Sequence, residues 1–347
     1  MQVSSPHESL PRSALTTEVV TASHEQPLRG VVIGLGHQGL KHAQTILAHP
    51  DAILAGAADP GEQAQALFGQ SFPETSVPVS ADVSSLLEAL DEPPDFAVVA
   101  VTHDAYPDII KELCHRGLPF LKEKPFARNL AEADELLGIT SIAQYCYTAT
   151  QRSHSQLERN MNKLLELAPE PTYFRYIYTL GRSAANIGWR SDLARAGGGS
   201  LLDMGYHVLA RVYDWFGQPD SVQTVLGVHG KIAGSADAED LVSLLLSYDS
   251  GLYGWVVLSP TSTQKEESFL ISFPGTFVAG TANQAAHYTE HGHPVYTLGA
   301  AEEDLTASQL THFLQKVRSG EGFAEDQQRQ RAIMALIEKC YQSRPKR

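Results

Sequence analysis

The sequence predicts an α/β fold: a doubly wound parallel sheet over residues 28–150, then an α+β domain over 151–347 with an open, predominantly antiparallel sheet. Three observations carry this. Short apolar runs alternate with helical periods in the first part, the motif G-x-G-x-x-G joins the first run to the first helical period, and strand-like runs dominate the second part.

In order, Leu28–Ile33 is the first run, Ala52–Ala58 the second and 95–102 (D-F-A-V-V-A-V-T) the third, with Phe120–Lys122 and 142–147 after them. They are short and apolar at both parities, as strands buried on both faces of a parallel sheet must be. Helices are expected between them at 37–48, 62–68, 82–90, 105–116 and 130–138. After Gln151 the rhythm changes. A helix at 153–167 precedes strands at 172–179, 221–229, 240–248, 252–259 and 267–273, with one helix at 200–216. L-V-S-L-L-L-S-Y and L-Y-G-W-V-V-L-S are separated only by 249–251, a short turn with glycine, and so form an antiparallel hairpin. Charged segments at 303–318 and 323–342, periodic at 3.6, give two surface-packed helices. Residues 1–27, rich in Ser, Thr and His, read as a mobile tail without a signal-peptide apolar run.

Composition narrows the function by exclusion. Lys plus Arg number 26 against 40 Asp plus Glu, a net charge of −14, so the summed field repels nucleic acid and anionic lipid. No run of about 18 apolar residues occurs, which excludes a transmembrane helix and leads to the expectation of a soluble, cytoplasmic protein. Three cysteines, Cys114, Cys146 and Cys340, share no metal-ligand spacing and are odd in number, so neither a disulfide framework nor a metal site is expected.

Chemistry enters with Gly34, Gly36 and Gly39. At a strand end opening a helix, the first glycine permits the tight turn, the second lets backbone approach a pyrophosphate, and the third lets helix and strand pack closely. Asp59 ends the second strand 20 residues beyond the last glycine, where a carboxylate can accept hydrogen bonds from an adenosine ribose. The competing reading of Asp59 is a cap before Pro60. Facing the ribose, its charge would oppose a 2′-phosphate, so NAD(H) is favoured, with NADP(H) as the alternative. Lys124, in Lys122-Glu123-Lys124-Pro125, stands beyond another parallel strand and would project into the same crevice. Thr102 and Glu123, at neighbouring strand ends, join the cofactor-binding candidates. In G-G-G-S-L-L-D-M-G-Y-H, Asp203 and His207 stand at i and i+4 on one helical face. Their ordinary reading is a surface helix pair; amid apolar neighbours they point instead to a buried task.

Taken together, the glycine loop, Glu123-Lys124-Pro125 and G-G-G-x-x-x-D-x-G-x-H resemble the Gfo/Idh/MocA family of oxidoreductases over residues 28–340. The resemblance implies a Rossmann domain and a C-terminal domain whose open sheet buries one face on helices and commonly oligomerises through the other. It implies hydride transfer between a nicotinamide cofactor and a carbinol or carbonyl, usually of a sugar or cyclitol. Lys124, Asp203 and His207 match the family's catalytic set. Trp189 and Arg190 fall where members often contact substrate, and Arg152 is a further pocket candidate.

Two departures stand out. Where many members have H-x-x-D, this chain has His207-Val208-Leu209-Ala210; where a histidine often opens the helix after the fourth strand, Tyr106 stands, with His103 nearby. The leading expectation is a dehydrogenase or reductase of a sugar, cyclitol or related polyol. Its rivals are a reductase of an imine or unsaturated bond, and a catalytically silent NAD-sensing regulator. A homodimer or homotetramer is expected through Tyr253, Trp255 and Val257 on the outer sheet face.

Overall fold

A computed structural model of the chain describes residues 26–181, 188–228, 238–299 and 303–344. The expected tail lies, but for its last two residues, outside the described residues, as does the end of the strand expected at 221–229.

The first part runs β1 (Leu28–Ile33), α1 (His37–Ala48), β2 (Ala52–Ala58), α2 (Glu62–Ser71), β3 (Val79–Ser80), α3 (Val83–Ala89), β4 (Phe96–Val99), α4 (Tyr106–Arg116), β5 (Phe120–Lys122), α5 (Leu130–Leu137), α6 (Ile142–Tyr145) and β6 (Cys146–Thr148). Its six strands form a wholly parallel sheet in the order β3-β2-β1-β4-β5-β6, the doubly wound arrangement, with the reversal between β1 and β4. Alternate residues feed opposite cores. Val31 and Ile33 pack on one side and Val32 on the other, and β4 divides its residues likewise. The strand expected at 142–147 is corrected: residues 142–145 make one helical turn and the strand begins at Cys146. Pairing with β5 sets that start, since Phe120 pairs with Cys146.

The second part comprises α7 (Gln156–Leu167), β7 (Tyr173–Leu180), α8 (Leu193–Ala196), α9 (Ser200–Asp203), α10 (Gly205–Phe216), β8 (Ser221–Gly227), β9 (Leu241–Ser247), β10 (Tyr253–Ser259), β11 (Lys265–Phe273), β12 (Thr276–Thr281), β13 (Ala285–Thr289), β14 (Pro294–Leu298), α11 (Leu305–Ser319) and α12 (Ala324–Gln342). Its sheet has the order β14-β13-β12-β11-β7-β10-β9-β8, antiparallel throughout except for β7 beside β10. The expected β9–β10 hairpin forms, with Tyr253 opposite Ser247. Strands β12 to β14 were not expected, and the helix expected over 200–216 is interrupted at Met204.

The inner face of this sheet, with Val256, Leu258, Leu244 and Leu246, packs on Val208, Leu209 and Val212 of α10. A buried polar network pins that helix. Arg211 pairs with Glu158 of α7 and donates to the Tyr176 hydroxyl at 2.8 Å, while the Trp215 indole donates to Glu158 at 2.8 Å. Helix α11 buries Leu310, Phe313 and Leu314 in the core on one side of the first sheet, Phe313 meeting Phe96 edge to face at 5.8 Å. Packing against the first sheet thus completes its second layer from the far end of the chain. All three cysteines are buried and free. Among the described residues no helix is long and apolar enough to cross a membrane.

Candidate active site

Beyond the carboxyl ends of β1, β2, β4 and β5, and roofed by α9, α10 and the segment before α8, lies a cleft of about 1210 Å³. Every candidate residue named from the sequence lines it except Gly39 and Arg152.

Gly34 leaves β1 with φ +90°, a conformation L side chains avoid, and a Cβ there would lie 2.4 Å from the Ala100 carbonyl oxygen. Gly39 sits behind the loop instead of in the cleft. A Cβ on it would fall 1.8 Å from the Gly34 carbonyl oxygen, so its task is the close approach of helix to strand. Gly36, the residue preceding α1, would meet nothing within 4 Å. It offers no side-chain cap, so the first backbone N–H groups of α1 remain available to an anion. Asp59 reaches the cleft and also accepts backbone N–H bonds from Leu35 at 2.7 Å and from Gly61 at 2.8 Å. Its position at the cleft and its turn bond to Gly61 therefore coexist. Open backbone at Gly36, free helix N–H groups and a carboxylate at the β2 end together fit a dinucleotide.

Lys124 carries a close ion pair in the cleft. Its Nζ donates to Asp203 Oδ1 at 2.5 Å and to the Asp203 carbonyl oxygen at 2.9 Å, while Arg190 stands 3.6 Å from the other carboxylate oxygen. Burial alone would raise the Asp203 carboxyl. The charge and hydrogen bond of Lys124, with Arg190 beyond, overcome it and hold the carboxyl well below the ordinary range. His207 is shifted down to about 3 by burial first and by the positive charges of Lys124 and Arg152 second, so its ring is neutral near pH 7. Neither ring nitrogen of His207 has a protein hydrogen bond among the described residues.

Neighbouring groups hold this pair in place. The Lys124–Pro125 peptide is cis. Buried Lys122 donates to the carbonyl oxygens of Glu123, Pro125 and Phe126 at 2.9, 2.6 and 3.2 Å and lies 3.8 Å from the centre of the Tyr106 ring. Three N–H donors meet three carbonyls, and the aromatic face covers the charge, which accounts for Tyr106 at its position. Glu123 accepts from His42 Nε2 at 2.8 Å, tying the lysine turn to α1.

Arg152 does not line the cleft. Its guanidinium pairs with Glu267 and donates to the Tyr176 hydroxyl, behind the cleft wall. Glu267, on β11, claims the charge, a partner 115 residues distant. Trp189 lines the cleft under the Arg190 guanidinium, 4.5 Å from its ring centre.

One residue had no signal in the sequence. Glu239, buried, accepts at one carboxylate oxygen from the N–H groups of Gly199 and Leu201 and from the Tyr341 hydroxyl, at 3.1, 3.0 and 2.8 Å. It thereby holds the start of α9, the element ending in Asp203. A Cβ on Gly199 would lie 2.3 Å from the Glu239 carbonyl oxygen, so this close approach requires glycine. Among the described residues no group of three His, Cys, Asp or Glu side chains is arranged to hold a metal.

Fold and glycine loop define an oxidoreductase fold with an NAD-binding Rossmann domain. Residues 28–149 match the model of the oxidoreductase family with the NAD-binding Rossmann fold, and residues 170–283 match that of the GFO/IDH/MocA C-terminal domain. The chain belongs to the Gfo/Idh/MocA family. A putative UDP-kanosamine synthase oxidoreductase subunit of Amycolatopsis mediterranei (strain S699) is 27% identical over 278 residues, 74% of each chain. Among solved structures, GenD2 from gentamicin A biosynthesis in complex with NAD has a TM-score of 0.76 at 20% identity, over 94% of this chain and 97% of that one. Levoglucosan dehydrogenase with NADH and L-sorbose gives 0.78 at 17% identity, over 92% and 98%. At such identities the structures share the fold.

Proposed function

We propose that the chain transfers a hydride between NAD(H) and a carbinol or carbonyl carbon of a sugar, cyclitol or related polyol. One observation carries this: an ammonium held by a carboxylate, Lys124 on Asp203, borders the same cleft as the neutral His207 ring and the glycine loop. The neighbouring sugar dehydrogenases, and the nucleotide-sugar activity in the name of the Amycolatopsis relative, support the substrate class.

Oxidation of a secondary alcohol requires the loss of a proton from oxygen and of a hydride from carbon. NAD, held by the glycine loop and Asp59, would supply the hydride acceptor when bound. His207, neutral and without a hydrogen-bond partner among the described residues, takes the hydroxyl proton. Lys124 donates a hydrogen bond to the same oxygen and stabilises the charge developing there, while Asp203 fixes the direction of the ammonium. Trp189 and Arg190 bound the substrate side. Turnover of a polyol panel with NAD, followed at the nicotinamide absorbance, tests this reading; turnover confined to imines or unsaturated compounds favours the rival reductase, and binding without turnover favours a sensor.

Cofactor choice rests on Asp59, with Gly34, Gly36, Thr102 and Glu123 holding the remainder. Asp59→Ser should weaken NADH and relieve repulsion of NADPH, moving the ratio of their dissociation constants toward the phosphorylated form. An unchanged ratio in fluorescence titrations would leave Asp59 only its cap.

We infer self-association, as a homodimer or homotetramer, through the outer sheet face. Tyr253 and Trp255 are 54% and 41% exposed there, Val257, two residues further along β10, is partly buried, and Val225 and Leu245 extend the apolar surface. Light scattering should give a mass at least twice the 37.7 kDa chain; a single 37.7 kDa species at micromolar concentration would remove this interface.

A further inference from the structure

Beside the Lys124–Asp203 pair stands a second imidazole whose hydrogen-bonding capacity is half used. His103 opens the single 3-10 turn between β4 and α4 and borders the cleft, with 5% of its surface exposed. Its Nδ1 lies 2.7 Å from the Ala196 carbonyl oxygen. A carbonyl can only accept, so Nδ1 carries the proton and Nε2 carries the lone pair. No hydrogen bond to Nε2 occurs among the described residues, and that atom is not sealed from the cleft. Burial, then the nearby charge of Lys124, lowers the ring to about 4, against the opposing bond to Ala196, so it stays neutral near pH 7.

The ring is also immobile by construction. The Trp189 ring meets it edge to face at 4.5 Å, Tyr106 stacks at 6.2 Å, and the Ala196 bond anchors it to the segment that roofs the cleft. A fixed, uncharged acceptor near an ammonium and a carboxylate suits a neutral donor on the ligand.

The geometry points to His103 as a substrate-orienting residue, its Nε2 accepting a hydrogen bond from a hydroxyl next to the reacting carbinol. The preferred substrate then carries a vicinal diol. This rests on the oxidoreductase reading above and adds a specificity determinant to it. His103 takes no proton in the reaction; it selects which carbon of a polyhydroxylated ring faces Lys124.

Two substitutions separate this task from the ring's structural bond. His103→Asn keeps an amide donor near the Nδ1 position for Ala196 and removes the Nε2 acceptor. His103→Gln keeps an acceptor near the Nε2 position and gives up the Ala196 bond. The experiment measures kcat/KM of wild type and both variants on the most active polyol of the panel and on its analogue lacking one hydroxyl beside the reacting carbon. Losing one hydrogen bond is worth about tenfold. Wild type and His103→Gln should prefer the diol by about tenfold, and His103→Asn should show no preference, with NADH affinity and melting temperature unaltered. Equal preference in His103→Asn and wild type would overturn the assignment, as would a loss confined to NADH binding or to stability. If wild type turns over no polyol, the oxidoreductase reading fails and takes this one with it. Polyol turnover with an unaltered preference in His103→Asn removes the His103 assignment alone.

Discussion

Lys124→Ala is expected to lower kcat/KM on the productive polyol by about two orders of magnitude or more, the scale of losing a positioned proton-transfer or charge-stabilising group. His207→Ala should do the same. Among the described residues neither side chain ties separate parts of the core together: Lys124 bonds to Asp203, itself partly open to the cleft, and the His207 ring has no protein hydrogen bond. Both variants should therefore melt near wild type and titrate with NADH normally. In Lys124→Ala the Asp203 carboxylate loses the charge that overcomes its burial, so its pKa rises toward the ordinary carboxylate value. Near-wild-type turnover by both variants would return Asp203 and His207 to an ordinary pair on adjoining helices.

Stability is expected to fail most at a different pair. Arg211→Met strands the Glu158 carboxylate, buried with only the Trp215 indole left to it among the described residues, and should cost about 3–5 kcal/mol in chemical denaturation. Burial already pushes the Glu158 carboxyl up, with Arg211 pulling against it. Glu158→Gln should cost less, since the Arg211 guanidinium keeps the Tyr176 hydroxyl and the Ala282 carbonyl oxygen as acceptors. The double variant should recover much of the loss, because paired desolvation and paired attraction disappear together. Activity should fall as well. Arg211 lies one helical turn beyond His207 on α10, so the network that buries it also sets which face of the helix meets the cleft. Single variants within about 1 kcal/mol of wild type would mean that apolar packing alone seats α10.

Much of this was legible in the chain because the evidence was local. The glycine loop, the strand before it and the helix after it are contiguous, and a parallel sheet marks its strands with apolar residues at both parities, as β1 and β4 do. Residues 142–148 could not be divided the same way. I-A-Q-Y-C-Y-T fits one helical turn or a short strand, and only the partner strand β5 decides where extension starts. Strands β12 to β14 escaped because they lie toward one edge of the sheet, where much of their surface is only partly buried and the apolar alternation fades.

At the site, Lys124, Asp203 and His207 were legible as motifs, and their convergence is a property of the folded chain. The same limit hid the partner of Arg152: nothing near it in sequence reveals that Glu267 holds its charge. Glu239 was invisible for the same reason, as its task is to cap backbone 40 residues earlier. His103 was visible as a residue, but its tautomer depends on the Ala196 carbonyl, 93 positions away.

Wild-type protein incubated with NAD and a panel of cyclitols, aldoses, anhydrosugars and nucleotide sugars, followed at the nicotinamide absorbance, tests carbinol oxidation most directly. At least one compound should be oxidised with equal formation of NADH, and Lys124→Ala should leave that reaction at about one hundredth of its rate or less. Protein that binds NADH tightly yet oxidises no carbinol and reduces none of the corresponding carbonyls would contradict it.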